Sequence, residues 1–160
     1  VADAVRIPVI AAGGIATGRQ MFAAMVLGAS GVQIGTRFVL SEEAGSHPDF
    51  KNYVLKAGEG DTMLTMKSLM PVRLLKNQFF KQVAAAEQAG ASAENLKTLL
   101  GKGRAKKGMF EGNLDEGELE IGQVSALIRD ILPAGGIIEN LWSEFLKTWA
   151  EPLPCKLQKP

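Results

Sequence analysis

Residues Val9–Phe38 read VIAAGGIATGRQMFAAMVLGASGVQIGTRF, and this stretch decides the fold class. The run IPVIAA (7–12) is short and rich in β-branched residues, and it stops at Gly13-Gly14. That is the length and composition of a buried parallel strand. In TGRQMFAAMVLGA (17–29), Met21, Phe22, Met25 and Val26 fall on one helical face, and Gly28 ends the pattern. GVQIG (31–35) reads as the next strand. Strand, helix and strand in so few residues make a parallel βαβ unit with a right-handed crossover.

Ligands of parallel α/β proteins sit beyond the carboxyl ends of strands, where backbone N–H groups of the following loop are unpaired. Such donors suit a phosphate, and in βα barrels the loops after the last two strands cradle one. Gly13 and Gly14 are expected to let the backbone approach an oxygen closely, where a Cβ would collide or be excluded by conformation. Gly35-Thr36 repeats the arrangement after the second strand, with the Thr36 hydroxyl as an additional donor. One glycine pair alone marks only a tight turn. Two such turns separated by a single helix point to phosphate binding.

Outward from this unit the chain turns helical. VADAVRIPVI (1–10) reads as the end of a helix running into the first strand, and with Val1 rather than Met in first position the chain is expected to be a piece of a longer protein. HPDFKNYVLKAG (47–58) has Pro48 at a helix start and Gly58 at its end, and DTMLTMKS (61–68) is a short extended piece. PVRLLKNQFFKQVAAAEQAG (71–90) reads as one long helix with Val72, Leu75, Phe79 and Val83 on one face. SAENLKTLLG (92–101) is a helix capped at Ser92 or by the preceding loop, and KGRAKKGMFEGNLDEGELE (102–120) a mobile, glycine-rich connection. IGQVSALIRDI (121–131) and PAGGIIENLWSEFLKTWA (133–150) read as two closing amphipathic helices, and residues 151–160 as a frayed tail. No internal repeat is present.

Composition narrows the function classes. With 46% hydrophobic and 22% charged residues the 160-residue chain is ordinary globular protein. Eighteen basic against 17 acidic residues give no electrostatic case for nucleic acid or an anionic membrane. The run KGRAKK lacks interleaved aromatics and reads as a solvated face. No segment approaches the roughly 18 apolar residues of a membrane span, and no signal segment opens the chain. Cys155 is the only cysteine, with no Cys or His at metal-ligand spacing, so a cytoplasmic location is expected and a disulfide or metal site is not.

The segments PVIAAGGIATGRQMFAAMVLGASGVQIGTRFVLSEE (8–43), HPDFKNYVLKA (47–57) and PVRLLKNQ (71–78) together resemble the flavin-dependent nitronate monooxygenases, formerly 2-nitropropane dioxygenases. That family is similar to the type II enoyl-acyl-carrier-protein reductases, and GQVSALI (122–128) is similar to its late GQIAGLV element. The resemblance implies an α/β fold: strands seven and eight of a TIM (β/α)8 barrel that binds FMN over residues 1–45, then a helical appendage over 46–150. It implies that Gly13 and Gly14 contact the FMN phosphate from the loop after strand seven. Gln33, Ile34, Gly35 and Thr36 flank it from strand eight, chiefly through backbone atoms, and Gln123 approaches the flavin. Met70 stands where relatives often carry a His. The family's catalytic His lies in a part of the barrel that precedes Val1, so the 160 residues by themselves are expected to be inactive.

Two reactions follow from the resemblance: oxidation of an alkyl nitronate by O2 to a carbonyl compound and nitrite, or NAD(P)H-dependent reduction of an enoyl thioester. Both have small-molecule partners, and a homodimer is an admissible assembly. An inosine monophosphate dehydrogenase-like barrel shares the glycine turns but not the segments after Thr36. A non-catalytic helical interaction module would fold without flavin. Among single residues, His47 beside Pro48 reads as a helix cap, Arg37 as a partner of either the phosphate or a helix acid, and Trp142, Phe145 and Trp149 as packing.

Overall fold

The two glycine-ended runs lie side by side in a computed structural model that describes residues 1–151. Strands β1 (Ile10–Ala12) and β2 (Gly31–Gln33) pair in parallel, with Ala11 opposite Val32. Helix α1 (Gly18–Val26) connects them. Its start is fixed by a capping box: the Thr17 hydroxyl accepts from Gln20 N–H at 3.2 Å, and Gln20 Oε1 accepts from the N–H groups of Thr17 and Ala16. Gly28, at φ 94°, takes the left-handed turn that ends the helix. Before β1 the expected helix end is a single 3-10 turn, Ala2–Ala4.

α1 is covered by the last helix of the described chain. Gly18 carries no side chain, so the backbone of the closing helix comes close enough at Leu141 and Phe145 that a Cβ would collide with it. Glu144 of that helix accepts the Gly18 N–H at 2.7 Å, placing a carboxylate at the positive end of α1. Phe145 is buried and meets Phe22 edge to face at 5.7 Å. Trp142 stacks on Phe145 but is half exposed and Trp149 is more so, so of the three aromatics only Phe145 is core.

Between these ends lie α2 (Thr36–Val39) and α3 (Pro48–Leu55). As expected, Pro48 opens α3 and His47 Nδ1 accepts the Asp49 N–H at 3.2 Å. The helix stops at Leu55, however, and Gly58 instead donates to Asp61 Oδ2 in the following turn.

The segment 71–90 departs from the one-helix expectation. Its first part is strand β4 (Val72–Leu75), antiparallel to β3 (Thr62–Thr65), and only from Gln78 does α4 (Gln78–Gln88) begin. The reason is burial on both faces: Leu74 enters a cluster with Met66, Phe79 and Val83, whereas Leu75 enters one with Phe50, Val54 and Leu119. Asn77 then starts α4, its Oδ1 accepting from Phe80 N–H while its Nδ2 donates to the carbonyls of Leu114 and Gly117. α5 (Ala93–Leu100) is capped by Ser92, and α6 (Ala134–Ala150) is the closing helix.

The stretch 102–120 is not a loose connection. It holds a π-helical turn, Lys106–Phe110, and its glycines permit close packing: a Cβ on Gly117 would fall on Gly108 Cα. Arg104 lies over the Phe79 ring at 4.4 Å and donates to the carbonyls of Leu99, Leu100 and Glu116, so the basic run is partly internal. Leu119 is fully buried, and the Leu75–Leu119 and Ile121–Arg73 backbone bonds lay 119–121 along β4. Instead of the amphipathic helix expected over 121–131 there is one 3-10 turn, Gln123–Leu127, from which Val124 and Ile128 enter the core. The region beyond residue 45 is therefore mixed rather than purely helical. Cys155 and the rest of 152–160 lie outside the described residues.

Candidate functional site

Both glycine turns are open to solvent at the carboxyl ends of β1 and β2. Gly13 and Gly14 have φ of 88° and 71°, a region in which L side chains are strained, so conformation demands glycine there. No side chain or backbone from elsewhere in the described residues fills the space in front of either position, or of Gly35. Gly35, at φ −102°, adopts backbone that any residue tolerates. What distinguishes the turns is their donors. Among the described residues, the N–H groups of Gly14, Gly35 and Thr36 have no protein acceptor. Gly14 and Gly35 are exposed and Thr36 half-buried, so the three donors face open space where a ligand can accept from them.

Gln33 is exposed at the end of β2. The Ile34 side chain turns instead into an apolar hollow with Val32, Phe38 and Trp142, leaving its backbone as the part that borders the turn. The Thr36 hydroxyl is already engaged as an acceptor, taking the Gly122 N–H at 3.1 Å. Its proton stays free to be donated, so the expected donor role is retained. A Cβ on Gly122 would come within 2.5 Å of Thr36 Oγ1, so a side chain at this crossing would displace the hydroxyl from the bond.

Through that crossing Gln123 is brought to the same cleft as Gly14. The cleft has a volume of about 670 Å³, with Gly14 and Gln20 on the β1–α1 side and Gly58, Gly60 and Thr62 on the approach to β3. Arg73 of β4, and Gln123 and Arg129 around the 3-10 turn, complete its wall. Gln20, Arg73 and Arg129 were not foreseen from the sequence. For Gln20 a signal existed, the Thr17-x-x-Gln20 capping spacing; Arg73 was hidden within an apparent helix.

The other singled-out residues fall elsewhere. Arg37 is buried and bound to Asp130, with Nη2 at 2.5 Å from its carboxylate and Nη1 donating to its carbonyl, so it serves the fold and not the open turns. Met70 is exposed and lines a separate apolar hollow of about 320 Å³ with Met66, Leu69 and Glu118. Burial, reinforced by the neighbouring Glu120 and opposed by Arg104, pushes the Glu118 carboxyl up to about 7. Among the described residues no group of His, Cys, Asp and Glu could hold a metal ion, and no helix is long and apolar enough to cross a membrane.

Comparisons with known proteins bear on this geometry. The family model for nitronate monooxygenase matches residues 1–144. A probable nitronate monooxygenase of Bacillus subtilis is 33% identical over 147 residues, covering 91% of this chain and 42% of that protein. From Rhodococcus jostii, (3aS,4S,5R,7aS)-5-hydroxy-7a-methyl-1-oxo-octahydro-1H-indene-4-carboxyl-CoA dehydrogenase is 32% identical, covering 92% of this chain and 52% of its own length. Of solved structures, FabK from Thermotoga maritima superposes with a TM-score of 0.84 at 41% identity, over 93% of this chain and 47% of that one. A nitroalkane oxidase from Streptomyces ansochromogenes gives a TM-score of 0.72 at 32% identity, over 92% and 42% of the respective chains. The α/β fold is thus similar to both structures, and the chain spans about two-fifths of the curated Bacillus relative.

Proposed function

From the premise that this chain belongs to the nitronate monooxygenase family, we propose that the whole protein is an FMN-dependent oxidoreductase and that this chain holds the flavin phosphate. In this reading β1 and β2 are strands seven and eight of a TIM barrel, and residues 46–150 are the appendage that closes over them. The phosphate rests on Gly13, Gly14 and the backbone of Gln33, Ile34, Gly35 and Thr36. The observation that carries the reading is the set of unpaired N–H groups at Gly14, Gly35 and Thr36, beside two glycines in left-handed conformation. Such a set fits a dianion without needing a cationic side chain, consistent with Arg37 being committed to Asp130.

FMN, when bound, supplies the electron-transfer chemistry, and the protein supplies binding, orientation and exclusion of side reactions. The Thr36 hydroxyl is oriented by Gly122 so that its proton points away from that bond. Gln123 lies in the cleft shared with Gly14, where its amide can orient a ligand. The chain's only His, His47, caps α3 and is not assigned a proton-transfer role. The group that takes the substrate proton is expected in another part of the whole protein.

The leading reaction is oxidation of an alkyl nitronate by O2 to a carbonyl compound and nitrite. The second is NAD(P)H-dependent reduction of an enoyl thioester, favoured by the likeness to FabK over nearly the whole chain. The test is made on the full-length protein. Its visible spectrum and the released cofactor report FMN; oxygen uptake with propane-2-nitronate is then compared with NAD(P)H consumption with a crotonyl thioester. A colourless protein that takes up no FMN refutes the reading.

A further inference from the structure

We propose that Arg73 and Arg129 form a second anion site in the cleft, one that binds the phosphate group of a substrate or reductant rather than that of the flavin. This rests on the flavin reading above and adds to it the class of the second ligand: an organic phosphate or diphosphate, as carried by a nicotinamide dinucleotide or by a coenzyme A-type thioester.

Arg73 is half-buried and Arg129 exposed at the edge of the cleft, and both differ from the buried Arg37 and half-buried Arg104 in how they are partnered. Arg37 is paired with Asp130 and Arg104 with Glu116. Neither Arg73 nor Arg129 makes an ion pair among the described residues, yet both line the same cleft. Each is held in place by neutral oxygens. Arg73 Nη1 donates to the Thr62 carbonyl and to Thr62 Oγ1, both at 3.2 Å, while its Nε and Nη2 have no acceptor among the described residues. Arg129 donates from Nη1 to the carbonyls of Ile128 and Ala57 and from Nη2 to that of Ala126. Carbonyl acceptors fix the position of a guanidinium without cancelling its charge.

One acid, Glu59, also lines the cleft and pairs with neither arginine. Two cations against one carboxylate leave a positive excess in a concave site, where field is focused and charge-assisted bonds strengthen. A guanidinium with a free edge matches phosphate oxygens two at a time. The flavin phosphate already has its proposed donors on the β1 and β2 turns, whereas the arginines come from β4 and from the segment after the 3-10 turn.

The test uses the full-length flavoprotein with Arg73→Gln, Arg129→Gln and the conservative Arg73→Lys, each checked for FMN content and circular dichroism. Inorganic pyrophosphate is the probe, its affinity read by calorimetry and as competitive inhibition. The expected result is pyrophosphate affinity about tenfold or more weaker in each Gln variant, with partial recovery in Arg73→Lys. The preference for crotonyl-coenzyme A over crotonyl-pantetheine, or for NADPH over NADH, should fall by a similar factor, and the preference that falls identifies the phosphate bearer. Unchanged pyrophosphate affinity overturns the proposal. So does loss of FMN in the Gln variants without a change in either preference, since the arginines would then serve the flavin. If the wild-type protein takes up no FMN, the flavin reading fails by itself, and pyrophosphate binding still decides whether the arginines form an anion site.

Discussion

The Thr36 hydroxyl oxygen accepts the backbone N–H of Gly122 at 3.1 Å, joining two positions 86 residues apart in sequence. This bond ties the turn after β2 to the segment that delivers Gln123 to the cleft. Thr36→Val keeps the shape of the side chain but leaves the Gly122 N–H without its acceptor, at a cost of about 1–3 kcal/mol. Thr36→Ser retains the oxygen. We expect FMN affinity in the full-length protein to fall in the Val variant and to persist in the Ser variant, measured by flavin fluorescence titration.

Gly14→Ala places a side chain at a φ of 71°, where left-handed backbone costs about 1–2 kcal/mol. Apart from the residue itself and its two chain neighbours, no atom of the described residues lies within 4 Å of the new methyl, so the fold should bear the strain. The methyl projects into the space assigned to the phosphate, and flavin occupancy should drop more than the denaturation midpoint does. A variant that keeps full flavin content would remove Gly14 from the cradle.

Gly18→Ala addresses the α1–α6 contact. The added carbon would overlap the α6 backbone at Leu141 and Phe145, which no side-chain rotation can relieve. The helices must separate, weakening the Glu144 bond to Gly18 N–H and the Phe22–Phe145 contact. A destabilisation of about 3 kcal/mol is expected from overpacking with the loss of that cap, read from urea unfolding.

Glu118 should give stability a distinctive pH dependence. Burial raises its carboxyl to about 7 in the folded protein, from an ordinary value of 4.5. In the window between those values the folded state binds the proton that the unfolded state has released. Stability from this group is therefore full below about 4.5 and declines as pH rises through about 7, the reverse of an ion-paired carboxylate. Glu118→Gln should flatten that slope in unfolding midpoints measured across the range; an unchanged slope would assign it to other groups.

The 160 residues alone should not turn over nitronate or enoyl thioester. Two parallel strands leave unpaired edges, and Ile10 on β1 is 55% exposed. Turnover by this chain, compared with the full-length protein under the same assay, would disprove that dependence.

The parallel pair, α1, the Pro48 start, the Ser92 cap and α6 were legible because local signals and tertiary packing agree there. The strand β4 was not. Val72, Leu75, Phe79 and Val83 keep a helical spacing by coincidence, and only Leu74 and Leu75 entering different clusters shows that the first part alternates. The glycines of 102–120 looked like flexibility, but Gly108 and Gly117 allow two backbones to touch, which depends on long-range packing. Of the candidate site, the glycine turns could be read directly. The arginine pair could not, because its members are 56 residues apart and come to line one cleft only through the hairpin and the 3-10 turn.

The Gln20 carboxamide oxygen, held between the amides of Ala16 and Thr17, carries a kinetic consequence. It fixes Ala16 and Thr17, which join the Gly13-Gly14 turn to α1, so we expect a phosphate to be seated there without folding of the loop. Association at this end of the cleft should follow a single exponential whose rate rises linearly with ligand concentration, without the plateau that a slow rearrangement would impose.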